Sequence, residues 1–396
     1  MRIGAGKGDS VMSEVTADAT GTRDEALIRA ADRAFVEHAE FGDSTRISAR
    51  ALARYQFGRE LFAERLPRLR DAAAQLSPEG APLAEAVFRE PVVRMLMEEA
   101  FDRLEADTLA SPDDLEGLIP QLLADPDVRL RHEATVGPRG DMWVWSAEPS
   151  SDPLVRRLQE RAAQLSERGD AGMVRVTPDL HMRQRIDQAF DLLSTLLPNV
   201  GPSAIGHIGS VCVVGAEAES GTLLSASGGD ELPSTIFIAP EQLENLWDAA
   251  GHVLHEGLHL KLFDVVRSGA LVSVGEDVTV EIPWRHIRWT IPRVVFSFHV
   301  YAHMVLFKAA ADQLGAPLHA RFGVPRGNVK RGHAMSVVKP LDSGPFASGL
   351  ARAEFLGEQL EGEWAQYLTD DGRRFTRWLL DIMSTLTRWA HLAQPT

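Results

Sequence analysis

One pattern limits the possible folds of this chain more than any other: two histidines four residues apart inside a long apolar segment. His255 and His259 belong to an HExxH motif, residues 255–259, and the flanking sequence predicts one helix over about residues 240–267. Residues four apart lie one turn above each other, so both imidazoles point to one side of that helix. Glu256 lies about 100° round from His255, close enough to approach a ligand held between the imidazoles.

This spacing suits a metal ion, because two imidazoles on adjacent turns can take neighbouring positions on one ion. The alternative is an ordinary helix that carries two polar residues on one face. The neighbours of the motif, such as Leu254 and Leu258, are apolar, and polar groups among them require partners. We therefore predict His255 and His259 as metal ligands and Glu256 as the catalytic residue beside them.

The composition restricts which other side chains can take part. Cys212 is the single cysteine in 396 residues, so a thiolate cluster and an intrachain disulfide are both excluded. The ligands must then be His, Asp or Glu. The formal net charge of −15 at pH 7 argues against a nucleic-acid partner, since neutralising phosphates needs a basic face.

Neither the N-terminal segment nor the most apolar stretch indicates export or a membrane. Residues 1–22 lack the apolar core of a secretory signal, and we expect a disordered leader there. The longest apolar stretch, residues 294–307, is shorter than the roughly 20 residues of a membrane span and is interrupted by histidines. We expect a buried helix at that position, in a cytoplasmic protein that binds no membrane.

The remaining patterns predict a predominantly α-helical α+β protein, with a few short β-strands preceding the HExxH helix. Residues 23–135 repeat apolar positions at helical spacing and form a helical N-terminal region. Residues 136–396 form the metal-binding catalytic region, either separate from the first region or continuous with it. The predicted elements ahead of the motif are strands near residues 142–145, 173–176, 210–214 and 234–239 and a helix over residues 179–197.

A metal held by two imidazoles needs a third ligand, and two known arrangements do not fit. Metzincins extend the motif to HExxHxxGxxH, but Leu262 and Val265 occupy the corresponding glycine and histidine positions. In thermolysin-like enzymes a glutamate on the following helix completes the site. Here Glu276 and Glu281 lie in a β-like stretch, residues 271–282, and match poorly.

The better candidate lies in the apolar segment that follows Pro292. Its two histidines, His299 and His303, are again four residues apart, and burying them costs several kcal/mol unless they are hydrogen-bonded or ligated. A core histidine bonded to a backbone carbonyl is the alternative for either residue. We predict His299 as the third ligand and His303 as the alternative.

Three arginines stand between the two histidine-bearing segments. Arg285, Arg288 and Arg293 lie within eleven residues that also contain two tryptophans, and a carboxylate-bearing small molecule near the metal would need such a guanidinium. The alternative is that they pair with surface carboxylates. Our first choice is Arg293 and our second Arg285. Lys261, just after the motif, is expected to be solvated or paired with a carboxylate.

The motif and its surroundings resemble a known family, the bacterial α-ketoglutarate-dependent HExxH-type peptide β-hydroxylases encoded beside ribosomally made peptides. The resemblance rests on residues 255–262, on Pro292-Arg293 leading to Phe298-His299-Val300, and on an FRxP-type element at residues 88–91. It implies Fe(II) as the metal and α-ketoglutarate as the cosubstrate, gripped by one of the three arginines. It also implies a ribosomal precursor peptide as the partner, hydroxylated on a side chain, with the β-carbon as the expected position.

Two other functions are compatible with the same residues. In a zinc metallopeptidase, Glu256 would act as general base on a metal-bound water. In a non-catalytic, peptide-binding helical scaffold, the motif would hold no metal. The spacing alone does not separate iron from zinc, because a histidine-rich site suits both metals.

Overall fold

The computed structural model describes most of the chain in eight stretches. They cover residues 10–65, 90–105, 134–168, 173–216, 225–285, 287–325, 345–346 and 348–392. Among these residues helices predominate and the strands are short, which confirms the predicted α+β class. Phe88 and Arg89 of the FRxP-type element and His286 of the arginine-rich segment lie outside the described residues.

The helices and strands follow one another along the whole described chain. The helices are α1 (Ser10–Glu37), α2 (Ser44–Arg65), α3 (Pro91–Glu105), α4 (Pro153–Arg168), α5 (Leu180–Leu196), α6 (Val200–Ile205), α7 (Leu246–Val266), α8 (Ile291–Leu314), α9 (His319–Phe322), α10 (Gly349–Glu361) and α11 (Asp370–Leu392). The strands are β1 (Thr135–Val136), β2 (Met142–Val144), β3 (Met173–Arg175), β4 (Ser210–Ala216), β5 (Ser225–Ser227), β6 (Thr235–Ile238), β7 (Thr279–Val280) and β8 (Trp289–Thr290).

A small mixed sheet precedes the motif helix and centres on β4. Its order is β1-β2-β4-β6-β5, with β3 paired to the other end of β4. β4 runs parallel to both β2 and β6, and β6 pairs antiparallel with β5. Strands buried on both faces read as continuous apolar runs, which explains why β4 and β6 could be predicted from the sequence. The β-like stretch 271–282 contains only the short β7, which pairs with β8.

The motif helix α7 begins later than predicted. A separate 3₁₀ turn, Pro240–Glu244, occupies the first part of the predicted helix, and Asn245 then adopts an extended conformation. The Asn245 side chain accepts hydrogen bonds from the backbone N–H groups of Trp247 and Asp248, at 3.0 and 3.3 Å. A side-chain oxygen at this position satisfies N–H groups that lack helical partners, so the chain starts a new helix there.

Helix α7 lies in the middle of the protein. It contacts α2, α5, α6 and α8 and the strands β5 and β6, and it is buried nearly all round. Gly257, inside the motif, marks a close contact with α6. A Cβ atom there would lie 2.9 Å from the carbonyl oxygen of Ala204 in α6, so a larger residue would push the two helices apart. The glycine of the motif therefore serves helix packing.

The second histidine-bearing segment forms α8, a core helix. The Thr290 side chain caps its start by accepting from the N–H of Arg293 at 3.3 Å, and Pro292 lies in its first turn. α8 is long and apolar enough to cross a membrane, but 83% of its most apolar window is buried by α1, α7, α10 and α11. It is the buried helix that the sequence predicts.

The N-terminal helix shares its core with the helices that carry the histidines. Ile28 and Phe35 of α1 belong to the same buried cluster as Leu254 of α7 and Phe298 of α8. α1 begins at Ser10, within the stretch 1–22 for which we expected a disordered leader, and residues 1–9 lie outside the described chain.

A buried polar network joins α3 to the C-terminal half of α7. Asp264, fully buried, pairs with the guanidinium of Arg94 and accepts a hydrogen bond from Nδ1 of His207 at 2.6 Å. Burial raises the pKa of the Asp264 carboxyl, but the charge of Arg94 and the bond from His207 outweigh it and hold that pKa below its usual range. The network ties the helical N-terminal region to the motif helix.

Lys261 corrects a prediction. We expected it to be solvated or paired with a carboxylate, but its side chain is buried and its Nζ donates to the carbonyl oxygen of Gly42 and to Oγ of Ser203, at 2.6 and 2.9 Å. Burial lowers the pKa of Lys261 to about 7. The error arose because lysine is rarely buried, and its partners lie more than fifty residues away in sequence.

The Arg94–Asp264 pair provides a test of the fold. We expect Arg94→Ala to lower the free energy of unfolding by about 3 kcal/mol, because it removes one of the two guanidinium groups that pair with the buried Asp264 carboxylate and leaves only Arg267, at 3.1 Å. Urea unfolding of the two proteins measures the difference. Arg46→Ala is the control: Arg46 pairs with Asp43 at the surface, 67% exposed, and should cost about 0–1 kcal/mol. Equal effects of the two substitutions would contradict this account of the network.

Candidate metal centre

The two histidines of the motif meet at their outer ring nitrogens. Nε2 of His255 and Nε2 of His259 lie 3.3 Å apart, with the rings inclined at 70°. Two imidazoles bound to one tetrahedral metal at about 2.0–2.1 Å place their nitrogens roughly 3.3 Å apart. An imidazole–imidazole hydrogen bond has a similar separation. The predicted pairing on one side of the helix is therefore present at a distance that a metal can bridge.

Both imidazoles are held neutral, which is the form that binds metals. Burial, followed by the proximity of His259, lowers the pKa of His255 well below its usual value. Burial and then the charge of Arg293 lower the pKa of His259 to about 4. Nδ1 of His255 is buried without a partner among the described residues, and about a fifth of that side chain remains exposed. The pair is therefore close to solvent yet poorly satisfied by the protein.

Glu256 completes the group. A carboxylate oxygen of Glu256 and one nitrogen from each histidine all lie within 4.8 Å of one another. Its Oε1 is 3.9 Å from Nε2 of His255 and accepts a hydrogen bond from Oγ of Ser225 at 2.6 Å. Burial raises the pKa of Glu256 to about 8, opposed by hydrogen bonds from Ser225 and the backbone of Ser227. The position agrees with the predicted role beside the metal.

Three polar residues behind Glu256 have no role in the predictions from sequence. Ser225 in β5 contacts Nδ1 of His252 at 2.7 Å, and Nε2 of His252 contacts the side-chain amide of Gln242 at 2.8 Å. His252 lies three residues before His255 on the same side of α7, a helical spacing that could have drawn attention to it. Ser225 carries no such signal, because its place beside α7 depends on the pairing of β5 with β6.

The structure does not bring His299 or His303 into that group. Phe296, one turn before His299, faces His259 in their place, with stacked rings 6.0 Å apart. His299 is buried against His303 and Phe375, and its Nδ1 has no partner among the described residues. Burial, then the charges of His303, Lys261 and His259, lower its pKa well below the usual value. His299 as third ligand stays a prediction.

His303 has the features of the alternative foreseen for a core histidine. Its Nδ1 lies 2.8 Å from the carbonyl oxygen of His299, the arrangement of a backbone hydrogen bond. Its ring packs against Phe35 of α1, with ring centroids 4.0 Å apart. Both contacts turn His303 toward the protein core.

The three candidate arginines separate into two groups. Arg293 and Arg285 both approach the ring of Trp289, with their guanidinium carbons 5.0 and 5.7 Å from its centroid. Partial burial lowers the pKa of Arg293, and the charge of Arg285 lowers it further. Arg288 instead binds Thr279 and Glu281 on the exposed face of the β7–β8 hairpin. Of the three, Arg293 has the clearest link to the motif, because its charge lowers the pKa of His259.

Comparison of the chain with protein-family models and with curated proteins gives no match, so the site has to be interpreted from its own geometry.

The buried histidines predict that acid destabilises the protein. Seven imidazoles have a lowered pKa among the described residues: the half-buried His38 and six more deeply buried ones, His207, His252, His255, His259, His299 and His303. At a pH below about 6.5, the ordinary pKa of histidine, these imidazoles bind protons in the unfolded chain but stay neutral in the folded chain. Each histidine then removes on the order of 1 kcal/mol of stability per pH unit as the pH falls.

Glu256 acts in the opposite direction. Because its pKa is raised to about 8, its contribution to stability is fully present at low pH and is lost as the pH rises toward 8. Burial also raises the pKa of Asp102, Asp230 and Asp248, but these carboxyl groups together with Glu256 do not offset the larger number of histidines. Metal-free protein should therefore show a urea midpoint that falls steeply from pH 7 to pH 5. A midpoint that is constant or rises over this range would contradict the burial of neutral imidazoles.

The metal centre itself is tested by removing one imidazole at a time. We expect His255→Ala and His259→Ala each to lose stoichiometric metal, because a site deprived of one imidazole of the pair is too weak to retain a divalent ion. Metal content is measured after chelation and anaerobic reconstitution with Fe(II). His181→Ala, which alters an exposed histidine of α5, is the matched control. One metal per chain in either motif variant would refute the assignment.

Proposed function

We propose that this protein is an Fe(II)- and α-ketoglutarate-dependent oxygenase that hydroxylates a side chain, at the β-carbon in our first choice, of a ribosomally made peptide. His255 and His259 hold the metal, with His299 proposed as the third ligand. Arg293 binds the carboxylate of the cosubstrate that points away from the metal. The choice of iron, of α-ketoglutarate and of a peptide substrate follows the family resemblance of the motif.

The observation that carries this proposal is a pair of arginines without carboxylate partners among the described residues, one of which, Arg293, lies near enough to the motif for its charge to lower the pKa of His259. In a chain with a net charge of −15, no carboxylate pairs with Arg293 or Arg285 among the residues that the structure describes. Nε of Arg285 is buried without a hydrogen-bond partner. Two cations that repel each other, one of them near the neutral imidazole of His259, favour an anionic ligand at this place, and a guanidinium is the best match for a carboxylate.

The position of Arg293 on α8 agrees with this role. Phe296, three residues later and therefore on the same side of α8, stacks on the ring of His259. The guanidinium of Arg293 is thus one helical turn from the residue that contacts the motif. It remains accessible to solvent, while Trp289 beneath it is buried and supports it. A small dicarboxylate can reach it from outside.

When bound, the metal would activate oxygen and α-ketoglutarate would supply the electrons for hydroxylation. The chain contributes positions and charges. The imidazoles of His255 and His259 are neutral and ready to ligate, Arg293 neutralises and orients the cosubstrate, and Phe296 covers one face of His259 and excludes water there. Glu256 presents its carboxyl group to the same space, where it can orient a bound water.

The cosubstrate site is tested by removing the guanidinium. We expect Arg293→Ala to raise the α-ketoglutarate concentration needed for half-saturation at least tenfold, about 1.4 kcal/mol, while metal content stays unchanged. The measurement is an anaerobic titration of the Fe(II) protein, followed by its metal-to-ligand absorption band. Arg288→Ala, which alters the exposed hairpin arginine, is the matched control and should titrate like wild type.

If Arg293→Ala titrates like wild type, the cosubstrate is held elsewhere and this assignment is wrong. If the wild-type protein shows no metal-to-ligand absorption band and forms no succinate, but cleaves peptides when loaded with zinc, the oxygenase assignment is wrong and the second candidate function takes its place. That candidate, a zinc metallopeptidase, is favoured by one observation: the Glu256 carboxyl lies 3.9 Å from Nε2 of His255, where a general base would stand. Glu256→Gln should then abolish peptide cleavage.

A further inference from the structure

A chain of hydrogen bonds runs from the 3₁₀ turn ahead of α7 to the motif glutamate. The side-chain amide of Gln242 contacts Nε2 of His252 at 2.8 Å. Nδ1 of His252 contacts Oγ of Ser225 at 2.7 Å, and that hydroxyl donates to Oε1 of Glu256 at 2.6 Å. The four residues come from a 3₁₀ turn, from α7 and from β5, so three separate elements meet at one carboxyl group.

The two members of this hydrogen-bonded series that belong to α7 lie in the interior of the protein. The His252 and Glu256 residues are 1% and 4% exposed, and Ser225 and Gln242 are half-buried. A glutamate side chain on a helix has several rotamers available, and a buried hydrogen bond selects one of them. The rotamer selected here places Oε1 of Glu256 at 3.9 Å from Nε2 of His255, beside the histidine pair.

The donor in each of these hydrogen bonds follows from the number of hydrogens that each polar group carries. The hydroxyl of Ser225 has a single hydrogen and gives it to Glu256, so the Ser225–His252 bond must take its hydrogen from Nδ1 of His252. His252 can donate in this way with a neutral ring, because burial lowers its pKa to about 3. Nε2 then has no hydrogen, so the side-chain amide of Gln242 must face it with its nitrogen as the donor.

We propose that Ser225 and His252 are positioning residues of the metal centre: they hold the carboxyl group of Glu256 beside the His255–His259 pair. The proposal rests on the proposed function, since it gives Glu256 a task next to a bound metal. Residues that orient groups around a metal in this way commonly change metal affinity by 10–100-fold when they are removed.

The probe for the test is Co(II), whose visible absorption reports the surroundings of the metal. Wild type should bind one Co(II) per chain. Ser225→Ala and His252→Ala should still bind one Co(II), but about tenfold more weakly and with the same altered visible band as Glu256→Gln. Because the two residues act through Glu256, His252→Ala should cause no further weakening in a Glu256→Gln background.

Conservative variants separate positioning from a merely structural role. The amide nitrogen of asparagine stands close to the place of Nδ1, whereas that of glutamine stands close to the place of Nε2. His252→Asn should therefore restore the wild-type band and affinity, and His252→Gln should not. His181→Asn, an exposed histidine of α5, is the control for the substitution itself. Ser225→Ala carries the test if His252→Ala fails to fold.

If wild type binds one Co(II) per chain, either of two results would contradict the positioning proposal and leave the proposed function intact. One is wild-type affinity and band in both Ser225→Ala and His252→Ala. The other is weakening by His252→Ala that adds in full to that of Glu256→Gln. Absence of stoichiometric Co(II) from wild type would instead contradict the proposed function, and this proposal with it, so the two failures are distinguishable.

Discussion

The polar side chains of a helix that is buried nearly all round need partners from elsewhere in the chain, and this need organises the structure around α7. His252 meets a serine of β5, Lys261 donates to the start of the α2 region, and Asp264 is held by an arginine of α3. His255 and His259 differ from these residues, because within the described part of the chain the one hydrogen-bond contact of their ring nitrogens is the one between them. We propose that a metal ion satisfies this pair.

The surroundings of that pair are suited to a small anion. The β7–β8 hairpin and the first turn of α8 carry Arg285 and Arg293 around one buried tryptophan, and neither has a carboxylate partner in the described chain. On the far side of α7, every cation of the buried network has an anion or a polar oxygen to contact. Among the described residues, the buried charges behind the motif helix are therefore paired, whereas the two arginines of the hairpin and α8 are not, and it is there that we propose the cosubstrate binds.

The sequence predicts those parts of the fold and the site that depend on short-range periodicity. The i, i+4 spacing places His255 and His259 together, and the apolar run at residues 294–307 predicts a buried helix, because both follow from helix geometry alone. Ser225 could not be predicted, because it approaches Glu256 only through strand pairing. The burial of Lys261 depends on a carbonyl group more than two hundred residues away. No local pattern encodes such contacts.

X-ray absorption of the reconstituted Fe(II) protein tests the central claim most directly, because it reports both the presence of the metal and its ligand atoms. We predict one iron per chain, with at least two imidazole nitrogens at about 2.0–2.2 Å, supplied by His255 and His259. Protein that retains no stoichiometric metal, or iron surrounded only by oxygen atoms, would contradict the account.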